Sequence, residues 1–326
     1  MSATKTKREK KRQLGQFLTP APIAQQLLAS LSFTRADKVL EPSMGAGAFV
    51  TPLIEKFLAL YDGSLHERLE QVLANNIYGV ELDAELFKQC LANIKNRWGY
   101  LPQNHNFVQA DFFRCPFVAT GRDPNSFGNK NHIPFTTILG NPPFGGTIDP
   151  AIQDELDGEF GFRHGEKIKK ETYSFFIVKS IDLLPTGGRL LFICSDTFLT
   201  IKTMRGLRRL LMNHGQVEIT DLAFFSDETN HPMVVLNFVK DGYADGITVN
   251  GKRIARATIE LTENFSWRIT ADLAKYFSGP VLGHYLVASS GMTVGKNEYF
   301  IRAITRGKIC EPYEFQFFDD PITLEK

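Results

Sequence analysis

Four short stretches of the chain combine residue types and spacings that suit chemistry on a bound ligand. In the first, Val39-Leu40-Glu41-Pro42-Ser43-Met44-Gly45-Ala46-Gly47-Ala48-Phe49, a carboxylate closes an apolar run. Two glycines follow where backbone must approach a ligand, ahead of a helix N-terminus that favours a carboxylate or phosphate. The second, Tyr78-Gly79-Val80-Glu81-Leu82-Asp83, ends on acids, and one carboxylate can accept from two ribose hydroxyls. Asp83 suits the same task, and equally the N-cap of the next helix. The third, Gln109-Ala110-Asp111-Phe112-Phe113, offers an acceptor and an apolar face that suit an adenine ring, or else a strand-end turn with Phe112 in the core. The fourth is Ile138-Leu139-Gly140-Asn141-Pro142-Pro143-Phe144. Its two prolines lock an extended turn. The Asn141 side-chain oxygen and the Pro142 carbonyl then form a stiff acceptor pair, able to hold both N–H groups of an aromatic amine. Phe144 offers a face for stacking its ring.

The elements that must position these residues alternate. A helix over 21–31 (Ile23, Leu27, Leu28, Leu31) precedes a strand at 38–40, and the apolar spacing of Phe49, Leu53, Ile54, Phe57 and Leu58 predicts a helix after the glycine turn. Strands at 77–82, 107–110 and 136–139, with a helix over 84–97, complete the pattern of an α/β protein with a doubly wound, mostly parallel sheet. Ligands of such sheets sit at the carboxyl ends of the strands near a switch in strand order, where all four stretches would converge. The polar 61–76 segment reads as an insertion, and 145–170, lacking a clear period, as a loop over a site. A helix over 172–184, a strand at 189–194, a helix over 203–212 and an antiparallel pair at 217–224 and 234–239 follow, so the sheet is expected to close near Lys240. Ser195 and Asp196 read as a cap after a strand. The expected organisation is a basic flexible tail over 1–14, a catalytic domain over 15–240, and a small or incomplete unit over 241–326.

Composition narrows the function further. The 326 residues carry 37 basic and 36 acidic side chains, 43% hydrophobic residues and 27 Phe, which fits a soluble globular protein with an aromatic-rich core. No apolar run is long enough for a membrane span and no signal peptide is evident, so the expected location is the cytoplasm. Cys90, Cys115, Cys194 and Cys310 form no CxxC pair and the seven histidines no ligand pattern; metal and thiol chemistry are not expected. Six basic residues between Lys5 and Arg12 read as a solvated tail or as a phosphate-tracking arm.

Taken in order, these stretches resemble the N6-adenine DNA methyltransferases of restriction–modification systems, in the type II arrangement with cofactor motif ahead of Asn-Pro-Pro-Phe. The likeness runs from Gly15 to about Val239, and Gln16-Phe17-Leu18-Thr19-Pro20 resembles the motif that closes over the cofactor's methionine end. It implies a Rossmann-like, seven-stranded sheet of the class I S-adenosylmethionine-dependent methyltransferases. By the same resemblance Thr19, Glu41, Ser43, Gly45 and Gly47 surround the methionyl group, Glu81 takes the ribose, and Asp111 and Phe112 take the adenine. Asn141, Pro142, Pro143 and Phe144 clamp the target amine, with Asn141 also facing the cofactor. Tyr173, Phe175 and Phe176 match a helix packed beneath that site, though core packing suits them better. Phe224-Phe225-Ser226 with Pro232-Met233-Val234-Val235 resembles the element that stacks an aromatic on the extruded base, and Phe225 is nominated for it. The reaction implied is methyl transfer from S-adenosylmethionine to N6 of a flipped adenine in double-stranded DNA, without metal, general base or covalent intermediate. The stretch Ser290 to Phe300 resembles the start of a target-recognition region, so a truncated or split enzyme with a separate specificity or restriction subunit is expected. Rival readings are methylation of RNA (guanine N2 or adenine) or of protein glutamine, and a non-catalytic cofactor-binding subunit of a restriction complex.

Overall fold

The computed structural model describes residues 18–115, 118–119, 131–144, 150–163, 165–222, 232–262 and 264–269. They fall within one compact unit, Met1–Tyr276. The basic tail, Gln16, Phe17, Phe224, Phe225, Ser226 and the 290–300 stretch lie outside the described residues.

The central sheet has the order β13-β12-β10-β11-β9-β6-β1-β2-β3. Its inner strands are β1 (Val39–Glu41), β2 (Ile77–Glu81), β3 (Asn106–Gln109), β6 (Thr137–Gly140) and β9 (Arg189–Ser195). These five run parallel, pairing β1 with β2 and β6, β2 with β3, and β6 with β9. The residues of β1, β2 and β6 are all buried, as expected of strands covered on both faces. β11 (Met233–Lys240) is antiparallel to both β9 and β10 (Gly215–Leu222). The chain winds outward in two directions from β1, toward β2 and β3 on one side and toward β6 and β9 on the other. That reversal is the switch point anticipated from sequence.

Two expectations fail here. The sheet does not stop at Lys240: β12 (Gly246–Val249) adds parallel to β10, and β13 (Lys252–Ala255) adds antiparallel to β12, giving nine strands where the resemblance implied seven. Nor do the described residues 264–269 stand apart from the elements around the sheet. Buried Arg208 donates through its guanidinium to the carbonyls of Phe265, Phe198, Ile201 and Asn264, tying the 264–265 backbone to the 198–201 segment that leads into the helix carrying Arg208. Trp267 is fully buried against Phe198.

Helices pack where the apolar spacing indicated. α1 (Ala21–Ala29) precedes β1, and α2 (Val50–Leu58) buries Leu53, Ile54 and Phe57, each stabilising the fold by about 1.5–3 kcal/mol. The polar 61–76 segment, read from sequence as an insertion, contains α3 (Leu65–Asn75), started by a Ser64–Glu67 capping box and anchored by buried Leu69, Val72 and Leu73. Next, Asn76 donates to the carbonyls of Arg35 and Asp37 and accepts from Tyr61, fixing the entry to β1. α4 (Ala84–Trp98) is capped by Asp83, whose Oδ1 accepts from the amides of Glu85 and Leu86. A short pair, β4 (Val118–Ala119) with β5 (Asn131–His132), precedes β6.

The 145–170 segment, expected as a loop, holds α5 (Pro150–Phe160) and a hairpin of β7 (Phe162–Arg163) and β8 (Glu166–Lys167). α6 (Thr172–Leu183) buries Tyr173, Phe175 and Phe176 in the core. α7 (Arg205–His214) and α8 (Arg256–Glu260) complete the described helices. Among the described residues no helix is long and apolar enough to cross a membrane, and no group of three potential metal ligands occurs.

Candidate functional site

Because β1 and β6 are parallel neighbours across the switch, with Leu40 level with Ile138, the residues leaving their carboxyl ends emerge side by side. Glu41 closes β1 and Asn141 follows β6. Ser43 Oγ donates to the Asn141 backbone carbonyl at 3.3 Å, joining the two turns directly. A cavity of about 630 Å³ opens between them, lined by Thr19, Glu41, Ser43, Gly45, Gly47 and Asn141 among others. Six of the residues singled out from sequence therefore share one space.

The glycine turn is held from behind. Met44 N donates to Val80 O at 2.9 Å, and Gly45 N donates to Glu81 Oε2 at 2.7 Å. Gly45 has φ +54° and Gly47 φ +90°, a region that side-chain-bearing residues rarely adopt. A Cβ on Gly47 would lie 2.7 Å from Cys90 Sγ, so α4 packs against the turn as closely as glycine permits. Asn93, one helical turn beyond Cys90, donates to Ala46 O at 3.0 Å and lines the cavity with Asn96 and Arg97. Sequence reasoning missed Asn93. The signal was present in the spacing of Cys90, Asn93 and Arg97 along one face of α4.

Electrostatics concentrate on two acids. Glu41 is 2% exposed, its Oε2 has no hydrogen-bond partner, and burial together with the nearby Glu81 charge pushes its carboxyl well above the usual range. Glu81 is also raised by burial, but the amides of Asp83 and Gly45 pull it back by donating to the carboxylate. Cys90 is likewise raised by burial, with the two carboxylates adding to the effect, which keeps it a thiol.

The remaining predicted residues stand outside the cavity lining. Glu81 lies behind the glycine turn, 4% exposed. Asp111 Oδ1 accepts from Phe113 N at 2.9 Å in a strand-end turn. Phe112 is 2% exposed and stacked on Phe176 with centroids 4.8 Å apart, so its ring takes the core role that the sequence left open. Lys179 on α6 donates to the carbonyls of Phe112 and Phe113 at 2.6 and 2.9 Å, holding this turn. Phe144, 5% exposed, packs in the core. Phe225 lies outside the described residues.

Residues 75–228 match the family model of the Eco57I restriction-modification methylase. The chain is 25% identical over 247 residues to the type II methyltransferase M.HincII of Haemophilus influenzae, aligning 74% of this chain with 40% of that protein. It is 27% identical over 236 residues to M.BstVI of Geobacillus stearothermophilus, aligning 65% with 40%. The chain thus spans about two fifths of the length of these relatives. Among solved structures, a DrdV–DNA complex shares the fold with TM-score 0.57 at 17% identity, over 81% of this chain and 32% of that one. A class I S-adenosylmethionine-dependent methyltransferase of Listeria monocytogenes gives TM-score 0.51 at 16% identity, over 73% and 66%. The chain accordingly shares its α/β fold with these structures, is similar over its aligned part to type II methyltransferases, and over residues 75–228 is similar to the Eco57I restriction-modification methylase family.

Proposed function

We propose that the chain is an S-adenosylmethionine-dependent DNA methyltransferase that modifies N6 of an extruded adenine as the modification part of a restriction–modification system. The observation that carries this reading is the single cavity joining Glu41, the glycine turn and Asn141. A proline-held acceptor beside a cofactor-sized space is what transfer to an aromatic amine requires. The relatives' names as type II methyltransferases, and the DrdV complex containing DNA, favour the same choice.

The residues fit the cofactor. Glu41 Oε2 is a buried acceptor without a partner, matched to a ligand ammonium, and Gly45 leaves room that a Cβ would crowd, 3.3 Å from Leu18 Cδ2. Thr19 and Ser43 complete the methionyl end. Glu81 holds the turn through Gly45 and keeps acceptor capacity for a ribose hydroxyl, since a carboxylate can accept about four hydrogen bonds. Asp111 accepts from the adenine amine, with the Phe112 backbone beside it. When bound, S-adenosylmethionine supplies an activated methyl group.

What the chain's own residues do is position the target. Asn141 Oδ1 and the Pro142 carbonyl accept the two N–H groups of the adenine amine, and these bonds strengthen as positive charge grows on nitrogen. Pro142 and Pro143 hold that pair stiff, so little reorganisation is needed in the transition state. The family resemblance assigns stacking on the extruded base to Phe144, which is almost wholly covered in the structure, and to Phe225. The catalytic unit extends through the C-terminal strands of the sheet, with target recognition assigned to residues beyond it or to a partner subunit. Incubation with tritiated cofactor and, separately, duplex DNA, ribosomal RNA and a release factor tests the reading. Label on DNA supports it; label on RNA or protein without DNA overturns it.

A further inference from the structure

A second cavity, about 780 Å³, lies between the β7–β8 hairpin and the start of α7. Six basic side chains line it (Lys167, Lys169, Lys170, Lys202, Arg205, Arg209) against two acids, Asp157 and Glu166. Such a concentration is not a consequence of composition, because the whole chain is nearly neutral, at +1. Both acids are already engaged: Lys170 Nζ lies 3.1 Å from Asp157 Oδ2, and Arg209 Nε lies 2.6 Å from Glu166 Oε1. Lys169 and Lys170 also pair with acids outside the lining, Glu171 and Asp154, at 2.7 and 2.9 Å, so the positive surplus of the cleft rests on Lys167 and Arg205, which are exposed at its rim together with Lys202.

The cleft is built rather than incidental. A Cβ on Gly206 would sit 1.9 Å from the Lys167 carbonyl oxygen, so only glycine lets the first turn of α7 press on the hairpin. Topology also places it suitably. The hairpin belongs to the segment leaving the carboxyl end of β6, which carries Asn141, and α7 to the segment leaving the carboxyl end of β9, its parallel neighbour.

We propose that this cleft holds consecutive phosphates of the DNA duplex, setting the register in which a base reaches Asn141. The inference rests on the DNA reading above. Phosphates suit it because their charge complements the surplus, and because lysines and arginines on a fixed frame position a strand without reading its sequence.

The test compares the full chain with the triple variant Lys167→Gln/Lys202→Gln/Arg205→Gln. A control, Lys88→Gln/Lys252→Gln/Arg253→Gln, removes equal charge from exposed positions elsewhere. DNA affinity is measured by fluorescence anisotropy between about 50 and about 200 mM salt, where each lost phosphate contact lowers the slope of log K on log salt by ~0.9. The cleft variant should lose ~2.7 from that slope and raise KM for DNA at least tenfold. Its kcat at saturating DNA and its cofactor Kd should match the parent, and the control should keep the parental slope. Equal slopes in parent and cleft variant, or equal losses in variant and control, overturn the cleft while leaving DNA methylation standing. Label on RNA or protein in place of DNA removes the DNA reading and the cleft with it. An RNA duplex that competes as well as DNA would show a backbone site without the assigned strand, and also counts against the proposal.

Discussion

Glu81 accepts the amide proton of Gly45, with Gly45 N 2.7 Å from Glu81 Oε2, so the acid that ends β2 is a strut for the glycine turn that follows β1. Its other oxygen accepts from Asp83 N at 2.8 Å. Glu81→Gln would turn an amide NH2 toward one of these donors. Hydrogen bonds to a charged group contribute about 1.5–3 kcal/mol, so the variant should bind S-adenosylmethionine at least about tenfold more weakly and melt earlier. Calorimetry and thermal melts check both, and an unchanged Kd would remove Glu81 from the site.

On the proposed function, Glu41 should couple cofactor binding to pH. Its carboxyl is raised by burial and by Glu81, whereas a cationic ligand beside it favours the carboxylate. Below the raised pKa, binding must expel a proton; affinity therefore climbs with pH and levels off once Glu41 is ionised in the free protein. Calorimetry in two buffers of different ionisation enthalpy should show proton release at the acid end. In Glu41→Gln both the release and the pH dependence should vanish, and their persistence would assign the proton to another group.

Gly47→Ala tests the turn itself. The variant meets Cys90 Sγ at 2.7 Å and a backbone at φ +90°. Strain of this kind costs about 1–3 kcal/mol. Adding Cys90→Ala should recover the part due to the clash and leave the part due to φ. Full recovery by the second substitution would show that the backbone conformation is not strained.

Arg208 on α7 is the pin between the 198–201 segment and the 264–265 backbone. Burial pushes its guanidinium down to about 10, yet four carbonyls hold it. Arg208→Ala strands those carbonyls and should destabilise the chain by about 3–5 kcal/mol, the range for breaking a buried charged network. Denaturant unfolding reads this directly. A loss below about 1 kcal/mol would mean that water replaces the guanidinium.

Much of the site was legible because chemistry and punctuation coincide in the sequence. Glu41, Asn141 and the two glycines sit where apolar runs break at Pro or Gly, which marks strand ends, and alternation of strand and helix then dictates that those ends meet. The capping of α4 by Asp83 was readable for the same local reason. Illegible parts depend on tertiary context. α3 is polar over most of its length and is held by three buried side chains and a capping box rather than by a full apolar face. β12 reads as a short β-like run, and only its place beside β10 makes it part of the sheet. Phe112 could serve ligand or core, and the choice is made by Phe176, a residue far along the chain.

The most direct test of the proline-held acceptor is Asn141→Ala. Ser43 bonds the Asn141 backbone carbonyl, which alanine keeps, so the turn should survive the substitution. DNA incubated with cofactor and either protein is digested to nucleosides and measured by mass spectrometry, alongside calorimetric cofactor binding. The account predicts N6-methyladenine with the parent, at least about a hundredfold less with the variant, and a cofactor Kd within about threefold. Undiminished N6-methyladenine in the variant, or a cofactor loss as large as the activity loss, would contradict it.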